Sequence, residues 1–167
     1  MSYASLREFV EALDNAGELH RVTAEVDPIL EVTEIVDRVS KSPAARTSEH
    51  AAAFDPHHHH LGGKAILFEN VRGASFPLLM NAWGSYRRIE MALGCAGDKP
   101  NGGGLDGLAK KVGELARPEP PAKLMDKVKK GLELAKIAGL PPKVVNAGSC
   151  QEVVKTGDDI DLFELPI

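Results

Sequence analysis

The sequence predicts an α+β fold, a small sheet covered by helices, and three observations carry that reading. Two apolar runs, Lys64 to Glu69 (KAILFE) and Phe76 to Asn81 (FPLLMN), are too continuous for alternating surface strands and read as neighbouring buried strands around an Arg72-Gly73 turn. Capped segments of helical period stand before and after them. The order helix, strand, helix, strand, strand, then helices fits an α+β layer sandwich without internal repeats, and leaves the strand order open. The chain is 167 residues long, 43% apolar and 26% charged, which suits one globular domain over 1–167 with a real core and argues against disorder throughout.

Taken in order, Ser5 and Glu8 form a capping box ahead of Leu6, Phe9, Val10 and Leu13, an apolar stripe that stops at Asn15 to Gly17. Glu18 to Val26 alternates weakly and predicts a short edge-like strand. Asp27-Pro28 reads as an N-cap with proline at the first helical position. A helix should then run to about Ser40, with Ile29, Val32, Ile35, Val36 and Val39 on its buried face and Glu31 and Glu34 at the positive end of its dipole. Ser40 to Leu61 is insertion-like, and from residue 41 its Ser, Pro, Ala and His content has no period, which predicts a mobile surface excursion over 41–61. Ser85 should cap a third helix bearing Tyr86, Ile89 and Leu93, ended by Gly94. A glycine-rich loop from Cys95 to Gly104 leads into a stripe of Leu105, Leu108, Val112 and Leu115 that ends at Pro118, Pro120 and Pro121. Another helix carries Leu124, Val128, Leu132 and Ala135 and stops at Gly139 to Pro142. Lys143 to Asn146 and Cys150 to Lys155 are short strand candidates, followed by a turn at Gly157 to Asp159.

Charge and composition exclude several functions. A net charge of −4 does not attract a nucleic acid backbone. Asp106 to Lys143 is locally basic, nine Lys or Arg against five Asp or Glu, but without interleaved aromatics for stacking it reads as the solvated side of two helices. Two cysteines make no disulfide framework, nothing at the amino terminus reads as a signal peptide, and no run approaches the roughly twenty apolar residues of a membrane span. The cytoplasm is the expected compartment.

Each chemical motif has a structural explanation beside it. Gly102, Gly104 and Gly107 satisfy G-x-G-x-x-G, yet the strand that a dinucleotide fingerprint needs directly before it is replaced by a helix and a loop. His57 to His60 can capture a metal loosely but lacks the spacing and supporting hydrogen bonds of a dedicated site. Cys150 would need a base beside it, and His20 is the candidate outside the histidine tract and its flank, so a buried inert cysteine is the reading. Asp158, Asp159 and Asp161 lack the other ligands of a calcium loop, and the helix dipole already accounts for Glu31 and Glu34.

Five segments carry a family resemblance. LREFVEALDNAGELHRV with VDPILEVTEIVDRV, GGKAILFENVRG with FPLLMNAWGSYRRIEMALG, and CQEVVKTGDDIDLFELPI resemble, in family order, the amino-terminal part of the UbiD decarboxylases, the 3-polyprenyl-4-hydroxybenzoate carboxy-lyases and their relatives. The insertion-like Ser40 to Leu61 is the stretch left uncovered. The resemblance implies a full enzyme with a central flavin-reductase-like split barrel and a carboxy-terminal α/β region. It would bind prenylated FMN, a divalent metal such as manganese and potassium, and would decarboxylate aromatic or α,β-unsaturated acids in ubiquinone biosynthesis or aromatic acid metabolism. The family's Glu-Arg-Glu catalytic group and its Asn, His and Glu metal ligands lie downstream of the last segment, so no catalytic, cofactor-binding or metal residue is carried onto this sequence. The expectation is therefore a structural domain, truncated before its active site and inactive alone, whose partners are the remaining domains of its own enzyme. Leu162, Phe163, Leu165 and Ile167 should meet those domains, or in their absence favour self-association. The competing reading is a free-standing, non-catalytic accessory or assembly module.

Overall fold

The computed structural model describes residues 3–48, 50–96, 103–116, 131, 144–148 and 151–165. These fall into two compact units, Met1–Val112 with Leu162–Ile167 and Gly113–Asp161.

The first unit is built on a three-stranded mixed sheet of order β1-β2-β3, with β1 at Leu19–Val22, β2 at Ala65–Phe68 and β3 at Leu78–Met80. The central β2 runs parallel to β1 and antiparallel to β3, with Ile66 opposite both His20 and Met80. All four β2 side chains are buried, which explains the unbroken apolar run, whereas the edge strand β3 is half-buried. Successive β2 residues face opposite layers. Ala65 and Leu67 pack with Phe9, Leu13, Leu19, Met91 and Ala96, while Ile66 and Phe68 pack with Val26, Val32 and Val71. The sheet is therefore covered on both faces: α1 (Leu6–Asn15) and α3 (Tyr86–Leu93) on one, α2 (Glu31–Ser40) on the other.

Local signals explain most of the boundaries. Ser5 Oγ accepts the Glu8 N–H at 3.3 Å, and the Glu8 carboxylate reaches back to the Ala4 N–H at 2.6 Å, so α1 starts as predicted. Ser85 caps α3 through the Arg88 N–H, and Gly94 ends it at φ 69°, the left-handed conformation that glycine adopts without strain. The helix after Asp27 starts later than the sequence suggests. Asp27 turns its carboxylate onto the Ile29 N–H at 2.9 Å, forming a local turn, and α2 begins at Glu31 with Ile29 left exposed. The predicted first strand is likewise shorter: β1 ends at Val22, and Val26 makes an isolated parallel bridge to Val71.

The stretch 41–61, which the sequence reads as a mobile surface excursion, makes several contacts of its own. Pro43 bridges Leu61, the Ser42 carbonyl accepts the N–H groups of both Gly62 and Gly63, and Ala51 is fully buried in a short 3-10 turn, Ala51–Ala53. These ties rest on backbone hydrogen bonds, a few polar side chains and one small buried alanine, which leave no hydrophobic period to read.

A fourth helix, α4, spans Gly104–Ala116, with Leu105 and Leu108 half-buried and Val112 exposed. The proline stop after it, the helix predicted over Leu124 to Ala135 and its Gly139 to Pro142 end lie outside the described residues, apart from Gly131. The two late strand candidates are not strands where they are described: 144–146 and 151–155 are irregular, and Val144, Val145, Val153 and Val154 are exposed. β-branched residues favour extended backbone, but a strand exists only with a partner, and among the described residues no ladder reaches them. Gly157–Asp159 forms the expected turn, as one 3-10 turn.

Candidate functional site

The charged groups of the first unit turn inward at three places around α3. The first is the crossing of Gly62 and Gly63 under the helix. Arg88, fully buried, donates from Nη1 to Glu18 Oε2 at 3.1 Å and to the Gly63 carbonyl at 2.6 Å, and from Nη2 to the Gly62 carbonyl at 2.8 Å. Asn81, at φ 54°, adds its side-chain amide to the carbonyls of Gly62 at 2.7 Å and Lys64 at 2.8 Å. Glycine is needed here because a Cβ on Gly62 would run into the Gly84 carbonyl. Burial pulls the Arg88 guanidinium below its ordinary value and Glu18 opposes that, yet arginine remains a cation. Glu18 Oε1 and Arg88 Nε are buried with no hydrogen-bond partner among the described residues, so the pair contributes less than its burial suggests.

The second place is Glu90, 1% exposed, whose Oε1 accepts the Ser48 hydroxyl at 2.7 Å and the Leu105 N–H at 3.3 Å. Cys95 is buried near it, and burial, then the Glu90 charge, pushes its thiol up. A thiol held in the protonated form is a poor nucleophile.

The third is a cleft of about 300 Å³ lined by Asp55, His58, Trp83, Ser85 and Tyr86 among others. The Tyr86 hydroxyl donates to Asp55 Oδ2 at 2.9 Å, and the His58 N–H donates to Oδ1 at 3.1 Å. The Tyr86 hydroxyl, ahead of the His58 bonds, holds the Asp55 carboxyl below the usual range, and the same bond raises the Tyr86 phenol. Both groups are moved away from neutrality, the opposite of what general acid–base catalysis at neutral pH requires.

The sequence-predicted candidates lie apart from these places or are engaged in local structure. In the histidine tract, the His58 ring pairs with Asp55 at 3.2 Å and the His59 ring with the Asp55 carbonyl at 3.1 Å. Among the described residues no group of three His, Cys, Asp or Glu is placed to hold a metal. Glu31 binds the Asp27 N–H and Glu34 pairs with Arg38, as their first-turn position implies. His20 lines an apolar cleft with Val22, Ile35 and Val39, whereas Cys150 and Gly102 lie outside the described residues. Asp158 and Asp159 sit in the 3-10 turn, exposed like Asp161.

Glu18, Arg88 and Glu90 are the residues that sequence reasoning passed over. A signal was present: Arg88 and Met91 stand at i and i+3 and are both buried, whereas the predicted stripe leaves Leu93 exposed. Reading charge as surface hid that face.

Comparison with known proteins gives a consistent picture. The family of the 3-octaprenyl-4-hydroxybenzoate carboxy-lyase N-terminal domain, UbiD_N, matches residues 10–101, more than half of the chain. Among solved structures, the vanillic acid decarboxylase of Sedimentibacter hydroxybenzoicus in its open form is 24% identical over 58% of this chain, with a TM-score of 0.42. A second open form of that enzyme, with truncated ShVdcD, is 22% identical over 71% of this chain, with a TM-score of 0.46. This chain spans 17% and 21% of the length of those two chains. Among the described residues no helix is long and apolar enough to cross a membrane.

Proposed function

The chain belongs to the UbiD family through its carboxy-lyase N-terminal domain, and on that premise we propose that it is a structural domain of a decarboxylase whose reacting groups lie in other parts of the enzyme. The full enzyme would remove carbon dioxide from an aromatic or α,β-unsaturated acid. Prenylated FMN, with manganese and potassium, would supply the electron sink when bound.

The observation that supports this reading is the engagement of the buried charges. Arg88 and Glu18 bind each other and the Gly62-Gly63 backbone, and Glu90 binds Ser48 and the start of α4. None of the three lines either cleft described above. Among the described residues no three His, Cys, Asp or Glu converge as metal ligands, and the Asp55 and Tyr86 pair in the cleft is shifted away from neutrality, which supports placing cofactor and metals elsewhere in the enzyme. No residue of this chain is assigned to either role.

The test is to supply the purified chain with prenylated FMN, manganese and potassium and to follow carbon dioxide release from a panel of aromatic and unsaturated acids. The expected result is no turnover, with activity appearing when the central and carboxy-terminal regions of the enzyme are present. Turnover by the chain alone, surviving removal of any full-length contaminant, overturns the proposal.

A further inference from the structure

Three segments distant in sequence meet at the Glu90 carboxylate. Ser48, 4% exposed, comes from the insertion and donates its hydroxyl to Glu90 Oε1 while also accepting the Ala51 N–H at 3.3 Å, which starts the 3-10 turn. Leu105, in the first turn of α4, donates its N–H to the same oxygen. His50 of the insertion lies directly over Gly104: a Cβ there would stand 2.6 Å from His50 Cδ2 and 2.7 Å from Glu90 Oε1. Glu90 itself leaves a fixed backbone, since its carbonyl accepts the Cys95 N–H at 2.9 Å in the turn that ends α3. The neighbouring Cys95 carbonyl accepts the Gly104 N–H, also at 2.9 Å.

We propose that Glu90 couples the seating of the 41–61 insertion to the docking of the first turn of α4, so that the two segments order and loosen together. The physical reason is the sharing of one buried acceptor. A buried carboxylate that loses one of two donors keeps its desolvation cost while losing part of what offsets it. When the insertion lifts, Ser48 leaves and water reaches the carboxylate, competing with the Leu105 N–H. His50 also vacates the surface on which Gly104 rests. Opening from the α4 side has the mirror effect on Ser48, because coupling between two equilibria is reciprocal. The insertion is thereby a conformational control element, wired to the start of α4.

Amide hydrogen exchange on the full chain tests this. S48A removes a hydroxyl bonded to Glu90, yet it should raise exchange in α4, at Gly107 to Lys110, by roughly 5- to 150-fold, the usual span of coupling between sites. Leu67 and Phe68 in β2 should be unchanged. G104A, which presses on His50 and Glu90 from the α4 side, should raise exchange at Phe54 and Asp55 in return. Changes confined to the substituted segment, or spread equally into β2, overturn the proposal. If S48A does not fold, the wild-type chain across a denaturant series gives the same readout: the two segments must open with one free energy and one slope. Two distinct openings also overturn it.

Discussion

Arg88 shows how a single side chain organises this fold. It satisfies two carbonyls and one carboxylate in a place where no water reaches, so removing it takes the donor from the Glu18 carboxylate and the Gly63 carbonyl and leaves the Gly62 carbonyl to Asn81 alone. R88M should therefore destabilise by about 3–5 kcal/mol, the usual cost of breaking a buried pair by removing one partner. E18Q combined with R88M should recover only part of that, because neutralising Glu18 does nothing for the Gly63 carbonyl. Denaturant unfolding of the three proteins checks both statements. Full recovery would mean that the carboxylate alone sets the cost. The Tyr86 to Asp55 bond gives a pH-dependent counterpart. Asp55 is held below the usual carboxylate range, so its contribution is present above that range and is lost as pH falls through its lowered value. Tyr86 is raised, so its share is present below the ordinary tyrosine value and is lost in strong alkali. Y86F should melt at a lower temperature than wild type at neutral pH, and the gap should close on acidification. A gap independent of pH would place the effect in packing.

At the scale of elements, the parts legible in the sequence are those governed by local rules. Ser5 and Ser85 start their helices as expected, Gly94 ends one, and the two apolar runs become paired strands. The helix after Asp27 was misplaced because Asp27 chose a turn with Ile29 over the cap, two outcomes that the same side chain allows. The valines at 144–145 and 153–154 were misread because strand propensity is silent about partners. Two substitutions test the element packing. F68A removes the end of the central strand from the core beneath α2 and should cost about 3–5 kcal/mol by denaturant unfolding. G62A should fold poorly or not at all: φ is 119°, and the methyl would meet the Gly84 backbone, which cannot withdraw as a side chain could. If G62A folds with near wild-type stability, the crossing of Gly62 and Gly84 is looser than its geometry.

For the whole molecule, the last described residues present an apolar surface. Ile160, Leu162, Phe163 and Leu165 are all exposed, Phe163 to 88%. Side chains of this kind grouped on one stretch favour burial against another surface. The chain should accordingly associate with rising concentration in sedimentation, and replacing Phe163 and Leu165 with Ser should weaken that association without lowering the melting temperature. A monomer at every concentration would show that the patch needs no partner. The histidine tract should take up zinc or nickel weakly, with little rise in melting temperature, since ordering its side chains offsets much of the gain from ligation. A large rise that vanishes when the four histidines are replaced would reveal a dedicated site.

The sequence by itself determined the family, the α+β class, the serine caps of α1 and α3 and the two apolar strands, because caps, turns and apolar period act over a few residues and leave their pattern in order along the chain. Only the tertiary structure decided the strand order and the parallel pairing of β1 with β2, which joins Leu19 to Ala65 across the whole insertion. It also decided that Glu18, Arg88 and Glu90 lie inside. A charge is buried only where distant groups converge to satisfy it, and that convergence has no local signature: Glu18 meets Arg88 across 70 positions of sequence, and Glu90 meets Ser48 across 42.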